Sequence, residues 1–258
     1  MFEFASAREE SIYGCAMKMV LFDLDGTLVV TRGISRLAFE NSGKAILGPR
    51  FSMDNVDLAG RLDPKLFLEA CQASHLIASA SQYDAFQHRY HKELEQLLAQ
   101  EATRPEPKHS ALPQATEVLQ RIADMPDVVL GLLTGNYEQA AFIKLRSVSL
   151  GHHSFEITAF GDEASTREQL VALAMKKFES RYHAPIEPER VLIVGDTPRD
   201  IRCAHENRCR CLAVATGRFS TRELSDAGAD WAIENLEKAN ILWHWLSGTD
   251  LAADACPQ

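Results

Sequence analysis

The sequence predicts an α/β fold, a parallel sheet doubly wound by helices, with a helical segment inserted near its start. Three observations carry this. Apolar runs of strand length recur at residues 19–22, 128–133, 191–194 and 211–214, separated by stretches of helical spacing. Three of these runs end in polar clusters, at 23–27, 134–136 and 196–200. Between Val30 and Arg104 no run reads as a strand of the same quality.

The first run sets the theme. Met19, Val20, Leu21 and Phe22 have the continuous apolar character of a strand buried on both faces, and the run stops at Asp23 and Asp25. Alternate residues of an extended chain point the same way, so these carboxylates can converge beyond the strand end. Gly26 allows a sharp turn there. Two such acids repel unless a cation sits between them. In open α/β sheets, ligands bind at that end of the strands.

The elements then follow in order. Ile34, Leu37 and Ala38 have helical spacing, and Pro64 is placed to open a helix through Leu66, Phe67 and Ala70 with Asp63 as its N-cap. Ser81 is the expected cap of another, carrying Phe86, Tyr90 and Leu94. The Arg-Pro-Glu-Pro-Lys run at 104–108 reads as a hinge back to the sheet. Pro113 is expected to open a helix through Val118, Leu119 and Ile122. After the strand at 128–133 comes a helix through Ala141, Phe142 and Leu145. A strand within 155–160 follows, then a helix from Ser165 or Thr166. The strand at 191–194, a helix at 201–206, the strand at 211–214, a short strand at 231–233 and a last helix carrying Leu242 and Trp245 complete the sheet domain. The expected division is a flexible extension at 1–17, with Met17 or Met19 the natural start, a core at 18–30 and 113–246, a helical insertion at 31–112, and a tail at 247–258.

Composition bounds the function. The 258 residues are 46% hydrophobic and 24% charged, ordinary for a globular protein with a substantial core. A formal net charge of −9 argues against nucleic acid as the main partner, while leaving room for a small phosphorylated one. No apolar run approaches the roughly 20 residues of a membrane span, so no membrane partner is expected. Six scattered cysteines in a chain this size suggest reduced thiols and a cytoplasmic location. Cys203, His205, Cys209 and Cys211 lie close in sequence, but their spacing fits no usual zinc pattern and reads as core packing. His75, His88, His91, His109, His152 and His153 show no ligand spacing and are read as surface residues.

Taken together, the polar clusters resemble the motifs of the haloacid dehalogenase-like hydrolase superfamily. Asp23-Leu24-Asp25-Gly26-Thr27 resembles its first motif, Thr134 its second, and Gly195-Asp196 with Asp200 its fourth. The resemblance implies a Rossmann-like core with an inserted α-helical cap domain. Gly60-Arg61-Leu62-Asp63 and Leu112-Pro113-Gln114 are similar to cap and core-entry motifs of the phosphoglycolate phosphatase-like branch, with Leu62 and Gln114 departing from the expected Thr and Gly.

What the resemblance implies is a phosphatase. Asp23 is the expected nucleophile, forming an aspartyl-phosphate, and Asp25 the acid and base. Mg²⁺ is the expected cofactor, held by the Asp23 side chain, the Asp25 main-chain carbonyl and Asp196, with Asp200 orienting its waters. Thr134 and the Gly135 N–H are expected to bind phosphate, and Arg61 and Asp63 to reach substrate from the cap. The third motif, a lysine usually followed by proline, has no direct match. Counting from Phe155, its place falls on Arg167, followed by Glu168. Arginine can supply the same charge through a two-pronged fork. Lys144 is the competing cation, but it lies about 12 Å along the helix that begins near Asn136, at 1.5 Å per residue, and is read as surface. The expected substrate is a small phosphorylated metabolite, and the expected state a monomer or homodimer. The alternatives are a phosphohexose mutase, a 2-haloacid dehalogenase, which needs neither Asp25 nor a metal, and a non-catalytic binding protein on the same scaffold.

Overall fold

A computed structural model describes residues 17–151 and 153–248. The expected N-terminal extension before Met17, the tail after Gly248, Cys15, His152 and Cys256 lie outside them. The first strand of the sequence, β1 (Lys18–Phe22), is central. It pairs in parallel with β4 (Val128–Leu133) on one side and β6 (Val191–Gly195) on the other. The remaining strands β5 (Ile157–Ala159), β7 (Arg210–Val214) and β8 (Trp231–Ile233) extend a parallel six-stranded sheet in the order β5-β4-β1-β6-β7-β8. The order reverses direction at β1. Phe22 pairs with Leu132 and with Val194, so the polar ends after β4, β1 and β6 lie side by side at this switch point.

Strand alternation divides the core. Val20 and Phe22 face a cluster with α4 (Ala115–Ala123), part of α5 (Glu138–Ser147) and α9 (Asn240–Ser247). Met19 and Leu21 face the other side, covered by α6 (Arg167–Tyr182), α7 (Pro198–Glu206) and α8 (Thr221–Asp226). Cys203, Cys209 and Cys211 are buried free thiols of this second cluster, and burial pushes the Cys209 thiol up to about 12. No helix among the described residues is long and apolar enough to cross a membrane.

The helical segment leaves the core through β2 (Val29–Val30) and returns through β3 (Ser110–Ala111), which pair antiparallel as a two-stranded ribbon. Between them lie α1 (Ile34–Leu47), α2 (Asp63–Ala73) and α3 (Ala80–Ala102). Their common core is aromatic: Phe67 and Phe86 are 4.5 Å apart by ring centroid, Phe39 and Phe86 4.7 Å. Tyr137, which caps α5, and Ala140 and Ile143 within it join that cluster, while Ala141 and Leu145 of the same helix face the sheet. Helix α5 is therefore buried on two sides, sheet and cap.

Several local expectations shift. Ser79, not Ser81, caps α3, in a reciprocal pair with Gln82. Asp63 is not the cap of α2. It is the first helical residue, and its carboxylate turns instead toward the sheet domain. The helix expected from Pro113 begins at Ala115, after Gln114 adopts a left-handed conformation, φ 63°. That is the place where the resembled motif carries glycine, and the geometry gives the reason. His91, His109 and His153 are buried rather than surface residues, because α3, the ribbon and the turn after α5 are each covered by neighbouring elements.

Gln114→Gly removes a left-handed penalty of roughly 1–2 kcal/mol per L-residue and adds about 0.4–1 kcal/mol of unfolded-chain freedom. Thermal unfolding should therefore show an unchanged or modestly higher midpoint. A clear drop would mean that the Gln114 side chain itself stabilises the entry to α4.

Candidate active site

The carboxyl ends of β1, β4 and β6 form the floor of a cavity of about 690 Å³, with the cap as its roof. Asp23, Asp25, Thr134, Asn136, Lys144, Arg167 and Asp196 line the floor, and Arg36, Asp57, Arg61, Asp63 and Tyr90 line the cap side. The sharp turn after Asp25 is made by Gly26 at φ 81°, where an added Cβ would run into the Asp196 carboxylate. Gly217 packs against the same carboxylate, and the Thr216 hydroxyl donates to the Gly26 carbonyl. Gly217 thus backs the Asp196 carboxylate, while Thr216 holds the Gly26 turn.

One guanidinium organises the acids. Arg167 Nη2 lies 2.9 Å from Asp23 Oδ1 and 2.6 Å from Asp200 Oδ1, and all three side chains are almost wholly buried. The other oxygen of Asp200 accepts from the Thr197 N–H at 3.0 Å and its hydroxyl at 2.7 Å, closing the reciprocal cap of α7. Both Asp200 oxygens are thus held by protein donors. Asp196 differs: its Oδ1 is buried with no partner among the described residues. Oxygens of Asp23, Asp196 and Asp200 all lie within 4.8 Å of one another. An orphaned buried carboxylate oxygen beside a second carboxylate fits a divalent cation with oxygen ligands. Asp23 and Asp196 are the side chains with capacity for it.

The electrostatics agree. Burial pushes the Asp23 carboxyl up to about 7, with Arg167 opposing and Asp200 assisting. Burial, with the nearby Asp23 and Asp200 charges, pushes Asp196 up to about 9. Burial works against the Arg167 charge, but Asp200 and Asp23 outweigh it and hold the guanidinium protonated.

Arg167, the cation reached by counting from Phe155, stands beside Asp23. The reading of Lys144 as a surface residue is overturned. Its side chain is 1% exposed, and Nζ lies 2.5 Å from Asp25 Oδ2 and 2.9 Å from Asn136 Oδ1. Two physical reasons explain the reversal. Helical side chains lean toward the N-terminus, and α5 begins at Glu138, so the long stem reaches back to the site. The cap packs on the face that would otherwise be solvated. The signal was present in the sequence: Ala140 to Leu145 is apolar all round except for Lys144, the pattern of a helix buried on both sides.

The cap residues divide. Arg61 lines the cavity and pairs with Glu69 at 2.8 Å. Asp63 crosses to the sheet domain: its Oδ2 accepts from the Tyr137 N–H at 3.0 Å and its N–H donates to the Gly135 carbonyl at 2.7 Å. Burial pushes its carboxyl up to about 7 against the pull of Lys144. Gly135 has no room for a side chain, because a Cβ would overlap the Arg61 carbonyl. Thr134 is buried, and its hydroxyl accepts from the Asn136 N–H at 3.3 Å. Arg199 donates to the Ala59 carbonyl and pairs with Asp57 at 2.9 Å, and Arg218 reaches Asp57 at 3.0 Å. The 57–63 loop is thereby seated on the core. Asn136, Tyr90 and this ion-pair group were not singled out from sequence, since their importance depends on how the cap docks.

Residues 17–206 match the family model described as haloacid dehalogenase-like hydrolase. The chain belongs to that family of hydrolases. Among individual proteins, it is 20% identical over 229 residues to the pyrophosphatase PpaX of Oceanobacillus iheyensis, covering 86% of this chain and 94% of that one. The structure of CbbY from Rhodobacter sphaeroides in complex with phosphate superposes with a TM-score of 0.66 at 19% identity, over 87% of this chain and 96% of the other. A predicted phosphoglycolate phosphatase from Haemophilus somnus superposes with a TM-score of 0.61 at 18% identity, over 89% and 98%. At these identities the structural matches speak for the shared fold.

Two outcomes follow from the buried charges. Arg167→Met leaves Asp23 and Asp200 without their counter-ion and should cost about 3–5 kcal/mol in urea unfolding. A loss below about 1 kcal/mol would mean that the two carboxylates are stabilised by something other than Arg167. The raised Asp23 and Asp196 groups stabilise the metal-free fold fully below their ordinary value of 3.8, and this is lost as pH rises through about 7 and about 9. A cation needs both ionised, so divalent-cation binding near pH 7 should release protons and tighten as pH rises. Calorimetric titration in two buffers of different ionisation enthalpy measures this. Identical heats in both buffers would contradict it.

Proposed function

We propose that the protein is a Mg²⁺-dependent hydrolase of small phosphate monoesters, working through an aspartyl-phosphate on Asp23, in the manner of phosphoglycolate phosphatase-like enzymes. The observation that carries this reading is the meeting of Asp23, Asp25, Thr134, Arg167 and Asp196 at one end of a capped cavity of about 690 Å³. That volume suits a small metabolite. PpaX is named a pyrophosphatase and the Haemophilus protein a predicted phosphoglycolate phosphatase, names that favour a small phosphate-bearing substrate.

Asp23 attacks phosphorus and displaces the ester oxygen, while Asp25 gives that oxygen its proton. Asp25 then takes a proton from water as the water attacks the phosphoryl group and frees Asp23. Arg167 fixes Asp23 Oδ1, which leaves Oδ2 as the attacking atom. The Thr134 hydroxyl and the Gly135 N–H would hold the phosphoryl oxygens. Asp23 and Asp196, with the Asp25 main-chain carbonyl, are the groups that would hold Mg²⁺, and Asp200, already occupied by Arg167 and Thr197, would stay outside its ligand set. When bound, the ion neutralises charge between the anionic nucleophile and the anionic phosphate. Arg61 and Asp63 are the cap residues nearest to a specificity role, Arg61 by lining the cavity and Asp63 by seating the cap. Free cysteines in the core and a net charge of −9 fit a reducing cytoplasm and a partner that is neither nucleic acid nor membrane, with the protein acting as a monomer or homodimer.

The direct test is phosphate release from a panel of small phosphate esters with and without Mg²⁺, with chloroacetate alongside. Phosphate release that depends on Mg²⁺, and no chloride, is the expected result. Release from no ester would remove the reading, chloride release would replace it by a dehalogenase, and an isomerised sugar phosphate would replace it by a mutase. Asp23→Asn should abolish turnover while leaving the unfolding transition in place.

A further inference from the structure

Lys144 is the buried charge that the hydrolysis just described does not use. Arg167 already serves Asp23 and Asp200, and Lys144 reaches neither. Its ammonium instead lies 2.5 Å from Asp25 Oδ2, held from its other side by Asn136 Oδ1 at 2.9 Å. The helix around it buries Ala140 and Ile143 against the cap and Ala141 and Leu145 against the sheet. An apolar side chain at this position would cost less desolvation than an ammonium. The charge is therefore better explained by its partner than by stability.

Among the described residues, the Lys144 ammonium is the side-chain donor that holds that partner. Asp25 is 41% exposed at its side chain, lines the cavity, and makes no hydrogen bond through Oδ1 among the described residues. A half-exposed carboxyl on a turn samples several rotamers. A hydrogen bond from Lys144 to Oδ2 removes that freedom. It also decides where a proton can sit, since Oδ2 is occupied as an acceptor and only Oδ1 is left to carry one.

We infer that Lys144 is a positioning residue that aims Asp25, fixing Oδ2 so that Oδ1 faces the leaving-group oxygen of a phosphate ester. The inference rests on the phosphatase reading above. In the first half-reaction the Asp23–phosphorus bond forms, the phosphorus–ester oxygen bond breaks, and the proton on Asp25 Oδ1 passes to the departing oxygen. In the second, the water–phosphorus bond forms, the Asp23–phosphorus bond breaks, and the water's proton returns to Oδ1. Lys144 keeps its own protons throughout.

The test exploits leaving-group chemistry. For the full chain, kcat/KM on an ester that forms the aspartyl-phosphate irreversibly covers events only up to loss of the leaving group. An alkyl phosphate needs its leaving oxygen protonated, whereas p-nitrophenyl phosphate does not. Lys144→Met and Lys144→Gln should lower kcat/KM on the alkyl ester by about 100-fold, the scale of general-acid catalysis, and on the aryl ester by no more than a few-fold. Asp25→Asn should lose at least as much on the alkyl ester, and adding Lys144→Met to it should cause no further loss there. Equal losses on both esters would assign Lys144 a structural role and overturn the inference. An undiminished rate on the alkyl ester would overturn it as well. Both comparisons use the same protein sample, so partial unfolding cancels. Wild-type protein that hydrolyses neither ester would overturn the phosphatase reading itself, and this inference with it.

Discussion

Arg167 Nη2 stands between Asp23 and Asp200, and much of the site depends on that placement. Without a fixed positive charge, carboxylates from β1, the β6 end and α7 could not share so small a dry volume. Burial alone drives Asp23 and Asp196 toward the neutral form. The guanidinium offsets this for Asp23 and leaves Asp196 as the unsatisfied member. The sheet supplies the convergence, because β1 is the strand at which the order reverses. The thin backbone of Gly26 and Gly217 then lets Asp196 approach.

The cap completes the site by touching the same groups. Arg167 Nη1 is 3.4 Å from the Gly60 carbonyl of the cap loop, and Asp63 accepts from the Tyr137 N–H on the core side. Asp57 is shared by Arg199 and Arg218. Helix α5 connects the two halves: one face packs on the sheet, another joins the aromatic cap core, and Lys144 between them meets Asp25. Opening the cap would expose apolar groups of α5 and loosen contacts to three charged residues at once. Access to the cavity and organisation of its floor are thus physically linked.

Much of this was legible in the sequence because it is local. Apolar runs ending in Asp23-Leu24-Asp25-Gly26, in Thr134-Gly135 and in Gly195-Asp196 mark strand ends directly, and a parallel sheet brings such ends together. Arg167, at a motif position usually held by lysine, was also within reach of residue counting. What could not be read was set by docking. Lys144 looked like a solvated helix residue because nothing local tells how the cap covers α5. Asp63 looked like a helix cap because its true acceptor role involves a backbone N–H 74 positions away. Gln114 hid its left-handed conformation behind an ordinary side chain. Neighbouring apolar residues on both faces of α5 were the available clue, and they point to burial without naming the partner.

In the proposed mechanism Asp23, held by Arg167, carries the phosphoryl group. Rapid acid quench of the protein during turnover of a phosphate ester, followed by peptide mass spectrometry, tests it most directly. The expected result is a hydroxylamine-sensitive phosphoryl adduct on the peptide that contains Asp23. Turnover with the adduct on another residue, or a phosphoryl label that persists in Asp23→Asn, would contradict it.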